Sequence, residues 1–499
     1  KTAPGTIDGQ GNHVIMGSDD PTADYRGTYG GKKGVIKTGP EYLTVFEGST
    51  GKELSTVAYE PSRNIISDSA WGDSYGNRSE RYLACVAYLD GKKPSLVMCR
   101  GYYTAAYLCA WDFDGKELKK KWMHASTVKG QGAYGEGAHS LAVGDVDGDG
   151  CDEIVYGACC IDHDGSLLYR TGLGHGDALH LGDFIPDRDG LEVFMVHEEK
   201  SAAYGFEMRD ACTGEILSGR KMGADIGRGL CADIDSLSRG AEYWSLAKFN
   251  VTADGKYNNI TFDCNGDSIS TRRPPVNFRT YWTGNLSEEL QEKGIISQWV
   301  NKTSNCSTLT DFVSTYGCGV NLIKDTPSLQ ADIFGDWREE CIYYDEATKS
   351  NLMIFSTPFT SPYRVPCLMH DHIYRMSICW QNVAYNQPPH LGYYLRDYVK
   401  NQQSNPTGIL QPSITEEQSN IEIPFTLISE GIVIRYTDMN NTSCNIRVYS
   451  QDGLCVYHTT NKFQGNGEIK LGALEELKKG VYLLSVVADG VRTVRKIIR

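Results

Sequence analysis

One pattern recurs along most of this chain: an acid-rich loop leads into an apolar run, a second apolar run follows, and a DG or TG turn leads into a third. Short apolar runs bounded by Gly, Asp and Asn turns are typical of β-strands joined by tight connections. The clearest copies are AVGDVDGDGCDEIVYG from Ala142, LGDFIPDRDGLEVFMV from Leu181, CADIDSLSRGAEYWS from Cys231 and QADIFGDWREECIYY from Gln330. Their spacing of about fifty residues suits β-propeller blades, so the sequence predicts a propeller.

Two weaker copies extend the pattern towards the N-terminus, ACVAYLDGKKPSLVM from Ala84 and the strand–turn–strand text PEYLTVFEGSTGKELSTVAYE from Pro40. A chain of 499 residues exceeds what one hydrophobic core usually supports, which also favours a repeat architecture. Its 53 glycines and 30 tyrosines suit short strands and tight turns. The predicted fold class is all-β.

The charge balance excludes some partners. A net charge of −14, without a basic run before the last few residues, argues against nucleic acid, because phosphate binding needs clustered Lys and Arg. No segment approaches the roughly 18 apolar residues of a membrane span. We expect a monomer whose excess acid binds cations.

The 16 cysteines are expected to be free thiols, because most stand singly within apolar runs, where a thiol serves as a small core residue. A disulfide framework is typical of much shorter chains. Examples of such core positions are Cys85, Cys99, Cys109, Cys341 and Cys379.

Three regions follow from the change of pattern along the chain. Residues 1–399 carry the propeller repeats, residues 400–418 are polar and Pro-marked like a linker, and residues 419–499 alternate as the half-buried strands of a small β-sandwich. Within the first region, SEELQEKG near Glu288 to Gly294 and STLTDFV from Ser307 predict short helices in an insertion between repeats.

The loop from Asp145 to Glu153 is a predicted calcium site. Carboxylates alternate along it, with glycines where the chain must curl around an ion, and calcium prefers such a cage of hard oxygens. An EF-hand would need a Glu at the position of Tyr156 and a helix after the loop, which the strand-like EIVYG does not provide. The predicted ligands are Asp145, Asp147, Asp149, Asp152 and Glu153. Weaker copies, which are either cation sites or plain acidic turns, contain Asp183, Asp187, Asp189, Asp233, Asp235, Asp332 and Asp336.

Histidines recur just before the acid loops, in GAHSL, GLGHGDALHLGD and VHEE. A lone strand histidine is usually a satisfied core group, but several that share one face of a propeller favour a metal site or an acid–base site. Imidazole is unusual for calcium, so a transition metal such as manganese remains open. The residues concerned are His139, His175, Asp177, His180, His197 and Glu198.

Two loop residues gain meaning only from a family resemblance: Lys324, ahead of the last repeat, and Tyr385, in a Pro-closed loop. The chain resembles polysaccharide lyase family 11, the rhamnogalacturonan lyases, through motifs in family order. These are SAWGDSYGNRSERYLACVAYLDG, RGYYTAAYLCAWDF, DVDGDGCDEIVYGA, TGLGHGDALHLGD, DIGRGLCADID, TPSLQADIFGDWREE and WQNVAYNQPPH. The resemblance implies an eight-bladed propeller with several calcium ions, and cleavage of rhamnogalacturonan I by β-elimination.

Elimination at galacturonate removes the C5 proton, which requires a cation that neutralises the sugar carboxylate, a base, and an acid at the leaving oxygen. By matching motif, the resemblance implies catalytic roles for Lys324, Tyr385 and Arg228. It implies substrate contacts for Asn321, Arg228 and Tyr385. It makes His139, His175, Asp177 and Glu198 the ligands of a functional metal.

This chain departs from the family in two places. The family typically has Asn-Gly-Thr-Lys where this chain has Asn321, Leu322, Ile323 and Lys324, so bulky groups replace the two small residues beside the lysine. The family also usually carries a further stretch upstream, so N-terminal blades are expected to be missing here. The C-terminal region resembles the sorting domains of type IX secretion, which implies a bacterial protein that is secreted or held at the cell surface.

Two other functions compete with the lyase hypothesis. A propeller stiffened by its acid loops could bind a glycan or a protein without catalysis, and the replacements at Leu322 and Ile323 favour this alternative. A glycoside hydrolase would instead need two facing carboxylates without a neutralising cation beside them.

Limited proteolysis tests the predicted division of the chain. We expect the first cut within residues 400–418, because their polar, Pro-marked text lies between strand-rich blocks with different patterns. Mass spectrometry of the fragments locates the cut. A protected linker with earlier cleavage elsewhere would contradict the prediction.

Overall fold

The structure, a computed structural model, describes residues 1–251, 257–258, 260–321, 324–404, 421–422, 432–450, 455–471, 481–488 and 491–498. The chain divides into two compact units, Lys1–Asn401 and Gln402–Arg499. The first five residues of the predicted linker continue a helix that ends at Ser404, and most of the remainder lies outside the described residues.

The first unit begins with two antiparallel hairpins. Their strands are β1 (Arg26–Tyr29), β2 (Lys32–Ile36), β3 (Tyr42–Phe46) and β4 (Glu53–Ala58). The second hairpin is the weak repeat from Pro40. Two 3₁₀ turns follow, Arg63–Ile65 and Asp68–Trp71.

Six antiparallel sheets of four strands follow in chain order, which we number I to VI. Sheet I contains β5 (Ala84–Ala87), β6 (Ser95–Arg100), β7 (Ala106–Phe113) and β8 (Leu118–Ser126). Sheet II contains β9 (Gly137–Gly144), β10 (Glu153–Gly157), β11 (Cys159–Ile161) and β12 (Leu167–Arg170). Sheet III contains β13 (Leu179–Gly182), β14 (Glu192–Val196), β15 (Phe206–Asp210) and β16 (Ile216–Arg220).

The remaining three sheets keep this plan with small changes. Sheet IV contains β17 (Gly229–Ala232), β18 (Glu242–Ser245), β21 (Thr261–Phe262) and β22 (Ser268–Ser270), interrupted by a hairpin of β19 (Phe249–Val251) and β20 (Tyr257–Asn258). Sheet V contains β23 (Phe278–Thr280), β24 (Glu289–Glu292), β25 (Ile295–Val300) and β26 (Asn305–Asp311). Sheet VI contains β27 (Cys318–Gly319), β28 (Leu329–Ala331), β29 (Glu340–Asp345) and β30 (Leu352–Phe355).

Helices are few and short. They are α1 (Phe312–Tyr316), α2 (His372–Trp380) and α3 (Leu395–Ser404), with 3₁₀ turns at Asn301–Thr303 and Leu368–His370. Among the described residues, none of the helices has the length and apolar character needed to cross a bilayer. The predicted all-β fold class is confirmed.

The second unit forms one five-stranded antiparallel sheet from its described residues. Its strands are β31 (Ile421–Glu422), β32 (Ile432–Ser450), β33 (Cys455–Leu471), β34 (Val481–Ala488) and β35 (Val491–Ile498). The side chains of Ile434, Ile446, Val448, Phe463 and Leu484 form its apolar core. The second layer of the predicted sandwich stays a prediction.

A buried glutamate begins the second strand of sheets II to V and the corresponding strand of sheet VI, and its carboxylate accepts hydrogen bonds from the backbone of the preceding acid loop. Glu192, for example, accepts from the amides of Phe184 and Ile185, both at 3.0 Å. We call these residues the clamp glutamates: Glu153, Glu192, Glu242, Glu289 and Glu340. Burial raises the pKa of each to about 7 or 8.

The strand register leaves room for each clamp. A small residue stands opposite it on the first strand, such as Gly144 opposite Glu153 and Ala232 opposite Glu242. Sheet I has Ser95 at this position, opposite Ala87, and the hydroxyl donates instead to Asp112 at 2.6 Å. The loop and the glutamate are therefore one structural unit, which is repeated five times and has an acid loop in four of the five sheets.

The predicted helical insertion is wrong. Its first segment is strand β24 of sheet V, where Glu289 is a clamp and Gln291 donates to the Tyr343 hydroxyl at 2.9 Å. Glu288 lies 2.9 Å from the buried Arg279. Polar side chains gave this strand a helix-like surface pattern, although each of them is buried and partnered. The second segment is mostly strand β26, and only its end enters α1.

The described cysteines are all free thiols. Cys85, Cys99, Cys109 and Cys341 are buried in strands as predicted. The prediction is wrong for Cys379, which lies exposed on α2, because its apolar neighbours belong to a helix and face the other way.

Residues 368–397, which we call the crossing segment, connect the acid loops of four sheets. The Leu368 amide donates to Asp332 at 2.8 Å, and His372 lies 2.7 Å from Asp152. The Tyr394 amide donates to Asp183 at 3.0 Å, and Arg396 lies 2.7 Å from Asp233. The segment ties loops of sheets II, III, IV and VI together and brings Tyr385 into the unit.

Replacing a clamp glutamate tests its structural role. Glu242→Ala leaves the buried amides of Ile234 and Asp235 without an acceptor, so we expect unfolding free energy to fall by about 2 to 5 kcal/mol. Glu242→Gln keeps one acceptor oxygen and should cost less than half as much. Urea denaturation measures both, with the exposed Glu215→Ala on the neighbouring sheet as control. Equal effects of Glu242→Ala and Glu215→Ala would refute the clamp.

Candidate functional site

Four metal-ligating side chains converge between sheets II and III. His139 lies on β9, His175 and Asp177 precede β13, and Glu198 follows β14. One ligand atom from each lies within 4.8 Å of all the others. We call these four residues the donor cluster. The structure therefore brings together the four residues that the sequence analysis grouped, and their role as metal ligands stays a prediction.

Backbone contacts hold the donor cluster in place. The His139 amide donates to Gly176 at 3.1 Å, and the Glu198 amide donates to His175 at 2.9 Å. A side chain at position 176 would meet the Val196 carbonyl oxygen at 1.7 Å, so only glycine permits this approach of loop and strand.

Two buried atoms that could ligate a metal have no hydrogen-bond partner in the protein. His175 Nδ1 lies 2.5 Å from the Gly137 carbonyl oxygen, so Nδ1 carries the proton and the Nε2 lone pair is available. Nε2 lies 3.6 Å from Glu198 Oε1. This nitrogen and Asp177 Oδ1 are both buried without a hydrogen bond. Unpartnered buried polar atoms are costly, so the arrangement suits a cation.

Electrostatics also prepare the cluster. Burial lowers the pKa of His139 to about 2 and that of His175 to about 4, so both imidazoles are neutral at neutral pH. Burial, with the nearby Asp177, raises the pKa of Glu198 to about 7. A bound divalent cation would offset the cost of burying these negative charges and keep both carboxylates ionised. Two imidazoles and two carboxylates fit a divalent cation, and the nitrogen donors favour a transition metal over calcium.

Two tyrosines complete the surroundings of His139. The Tyr102 hydroxyl lies 2.9 Å from Nδ1, and the Tyr103 hydroxyl lies 2.9 Å from Nε2. A neutral imidazole donates at one nitrogen and accepts at the other, so the two tyrosines fix its orientation. Sequence analysis missed both tyrosines, although their motif GYY lies in the loop that joins β6 to β7.

Lys324 and Tyr385 lie against the donor cluster. Lys324 Nζ is 3.5 Å from Asp177 Oδ2 and 4.8 Å from the centre of the Tyr385 ring. The Tyr385 ring stacks on His139 with centroids 4.1 Å apart, and its amide donates to the His139 carbonyl at 3.0 Å. Residues more than 180 positions apart in sequence therefore meet at one point.

A tight turn presents the lysine. The Asn321 amide donates to Thr326 at 2.9 Å, and Asp325 has a positive φ of 55°. Asn321 stands at the base of this turn, and its predicted sugar contact stays a prediction. Leu322 and Ile323, where the chain departs from the family motif, lie outside the described residues.

Arg228 lies beneath the cluster instead of facing outward. It is 3% exposed, and its guanidinium donates to the Asp177 carbonyl at 3.2 Å and to Asn277 Oδ1 at 2.9 Å. Burial lowers its pKa to about 10, so it still carries its charge at neutral pH. Its described contacts assign it to holding Asp177, while its predicted contact with substrate stays a prediction.

His180 and His197 are core residues. His180 is fully buried, with Nδ1 2.9 Å from Nε2 of the equally buried His390. His197 lies 3.0 Å from the Gly174 carbonyl and 3.3 Å from Glu207. Both are satisfied within the sheets and lie apart from the donor cluster.

The acid loop after β9 forms a second group of donors. One carboxylate oxygen each of Asp145, Asp147 and Glu153 lies within 4.8 Å of the other two. Glu153 is fully buried, and its Oε1 has no hydrogen-bond partner. The clamp glutamate thus offers one oxygen to the loop backbone and the other to this group, which fits a cation.

The other two predicted ligands of this loop have different surroundings. Asp149 groups with Cys151 and with His163, whose Nδ1 lies 3.3 Å from Asp149 Oδ2. Asp152 turns away, since its carboxylate accepts from the Tyr88 amide and lies 2.7 Å from His372. Sequence analysis missed His163, which the text IDHDG places in the turn of the next hairpin.

Comparison with known proteins gives a consistent answer. Residues 1–405 match the model of the rhamnogalacturonan lyase family 11 C-terminal domain, and residues 416–499 match that of a secretion system C-terminal sorting domain. The rhamnogalacturonan exolyase YesX of Bacillus subtilis (strain 168) is 48% identical over 410 residues, which cover 80% of this chain and 64% of the relative. The rhamnogalacturonan endolyase YesW of the same strain is 46% identical over 404 residues, which cover 81% and 61%.

Solved structures agree. The Bacillus licheniformis rhamnogalacturonan lyase PL11 is 48% identical with a TM-score of 0.72, and the crystal structure of YesW is 46% identical with a TM-score of 0.71. Each comparison covers 79% of this chain and 64% of the other. The chain spans about three fifths of the length of the curated relatives that it matches.

Proposed function

The chain belongs to rhamnogalacturonan lyase family 11, and on this premise we propose that it cleaves the rhamnose–galacturonate backbone of rhamnogalacturonan I by β-elimination. The observation that carries the proposal is the meeting of Lys324 and Tyr385 at the donor cluster. A cation site, an amine and a phenol within one small region provide the groups that elimination at a uronate requires.

The donor cluster holds the functional cation in this proposal, through His139, His175, Asp177 and Glu198. When bound, a divalent cation such as manganese or calcium supplies charge neutralisation for the galacturonate carboxylate, which makes the C5 proton more acidic. Tyr102 orients His139 through Nδ1, the Tyr103 hydroxyl lies at Nε2, which the cation would take instead, and Arg228 holds the backbone of Asp177 from below.

The two reactive side chains divide the proton transfers. Burial and the neighbouring Asp177 raise the pKa of Tyr385, so its hydroxyl is protonated at neutral pH and suits the donation of a proton to the leaving oxygen at C4. Lys324 is then the base, and its neutral amine takes the C5 proton and becomes the ammonium. Its place beside Asp177 sets the amine at the edge of the cation site.

The six sheets are the blades of a propeller in this proposal, with the β3–β4 hairpin as part of a further blade. Support comes from their equal plan of four antiparallel strands and from the clamp glutamate that five of them share. Family relatives that are longer than this chain leave room for the blades needed to reach eight.

The sorting-domain match implies that the second unit directs export, so the substrate would be met outside the cell or at its surface. Rhamnogalacturonan is a plant cell-wall polymer, which suits that location. In this proposal, the five-stranded sheet of this unit is one layer of the sandwich predicted from sequence.

We assign calcium to the acid loop of sheet II, because Asp145, Asp147 and the unpartnered oxygen of Glu153 are hard donors. In this position the ion stabilises the sheet and has no part in the reaction. The corresponding loops of the other sheets are further calcium sites in this proposal.

Removal of a loop ligand tests the calcium assignment. Asp147→Ala should remove most of the calcium-dependent stability, which is about 2.7 kcal/mol at a concentration of about 100 times Kd. Thermal unfolding with and without a chelator measures the effect, and Asp267→Ala in an exposed turn serves as control. If melting responds to neither chelator nor mutation, the loop is a plain acidic turn.

Replacement of Lys324 tests the catalytic assignment. Lys324→Ala should reduce turnover by roughly two to four powers of ten, the usual contribution of a positioned acid or base. Product is followed by the ultraviolet absorbance of the unsaturated uronate, which only elimination produces. Lys302→Ala, which removes an exposed lysine, is the matched control.

Two results separate the possible failures. If wild-type protein forms the unsaturated product and Lys324→Ala keeps more than about a tenth of its rate, the base is another residue. If wild-type protein binds rhamnogalacturonan without forming unsaturated ends, the lyase proposal fails and the binding hypothesis takes its place.

A further inference from the structure

A cavity of about 520 Å³ adjoins the donor cluster. His175 and Glu198 form part of its wall, whereas Lys324, Tyr385 and Arg228 do not line it. Arg78, which precedes sheet I, Tyr103 in a loop of sheet I, and Lys129 and Tyr134 between sheets I and II form much of the rest of the wall. Its volume is within the range of small-molecule sites, about 300 to 1,000 Å³. The cavity extends the site beyond the reactive pair.

Two cations in this wall form no ion pair within 4 Å among the described residues. These are Arg78 and Lys129, although acidic residues outnumber basic ones by 63 to 49 in the chain. Hydrogen bonds from Ser201, together with the Lys129 charge, lower the pKa of Glu199 on the same wall. The third cation of the wall, Arg170, is paired with Glu136. Glu199 also lines the cavity, and its Oε1 accepts from Ser201 at 2.8 Å.

The position of Arg78 is fixed before any ligand arrives. Its amide donates to Asp73 Oδ2 at 2.7 Å, and its guanidinium lies 4.9 Å from the centre of the Tyr103 ring. Stacking on an aromatic face restricts the side chain, and one of its N–H donors contacts the Gly72 carbonyl at 3.5 Å. A guanidinium held in this way suits bidentate recognition of a carboxylate.

The cavity therefore combines cations with an amphipathic ring. Tyr134 offers an aromatic face for the apolar side of a sugar ring and a hydroxyl for its polar edge, whereas the Tyr103 ring already contacts Arg78 and His175. A neutral sugar needs no unpaired cation, whereas a uronate carries one carboxylate per ring. In a polymer of alternating rhamnose and galacturonate, the next galacturonate lies two sugar units from the galacturonate that reacts.

We propose that this cavity is a second uronate-binding subsite, in which Arg78 and Lys129 bind the carboxylate of the next galacturonate along the same polymer chain. The inference rests on the proposed function for the identity of the polymer. Binding at the cavity fixes the register of the substrate, so that a galacturonate, and not a rhamnose, reaches the donor cluster.

The test uses isothermal titration with a rhamnogalacturonan I hexasaccharide and with the same hexasaccharide after chemical reduction of its carboxylates. All titrations are done in the Lys324→Ala background, so that the probe is not consumed. Arg78→Ala and Lys129→Ala should each weaken binding of the acidic probe by about tenfold or more, the scale of one charge-assisted hydrogen bond. Neither substitution should change the affinity for the reduced probe.

Two matched variants sharpen the comparison. Lys200→Ala removes a nearby exposed lysine that does not line the cavity and should leave both affinities unchanged. Lys129→Arg keeps the charge and should retain most of the affinity for the acidic probe. The loss caused by Arg78→Ala should shrink as salt is added, because the contact is electrostatic.

Undiminished binding of the acidic probe by the Arg78→Ala, Lys129→Ala double variant would overturn the proposal. An equal loss for the acidic and reduced probes would overturn it as well, because the cavity would then not recognise the carboxylate. These outcomes are independent of product formation. If wild-type protein makes no unsaturated product but the selective loss is seen, the uronate subsite stands while the elimination fails.

Discussion

The structure depends on a buried carboxylate that accepts hydrogen bonds from a loop backbone. Each clamp glutamate fixes the loop before it, and the loop then carries its aspartates in a defined arrangement. Such a buried acid is stable only with its partners in place, so strand, loop and carboxylate must form together. Repetition of this unit lets a long chain with many acidic residues fold without one large core.

The site depends in turn on contacts between units of the repeat. His139 comes from sheet II, while His175, Asp177 and Glu198 come from the connections around sheet III, and Gly176 allows the loop to approach the strand. The crossing segment adds Tyr385, and the connection between β27 and β28 of sheet VI adds Lys324. The candidate catalytic groups therefore lie where neighbouring repeats differ from one another, whereas the clamp glutamates that the repeats share stabilise the fold.

Much of this could be predicted from sequence, because acid loops and short apolar runs are local signals. The strands of sheets II, III and VI follow their text closely, and family motifs identified the donor cluster. Local patterns failed where a side chain's partner is distant: Glu289 and Gln291 have a helix-like pattern but are buried in sheet V. For the same reason, sequence could not show that Asp152 faces His372 or that Arg228 lies beneath Asp177.

The crossing segment has a consequence for the order of folding. Asp332, Asp152, Asp183 and Asp233 receive partners from residues 368–397, which a ribosome makes after nearly all of the sheets. Until that segment arrives, these carboxylates lack the partners that it supplies, so the earlier repeats cannot reach their final stability one by one. Although its architecture is modular, the first unit behaves as a single cooperative body that is completed by its last thirty residues, and truncation there would loosen loops some two hundred positions away.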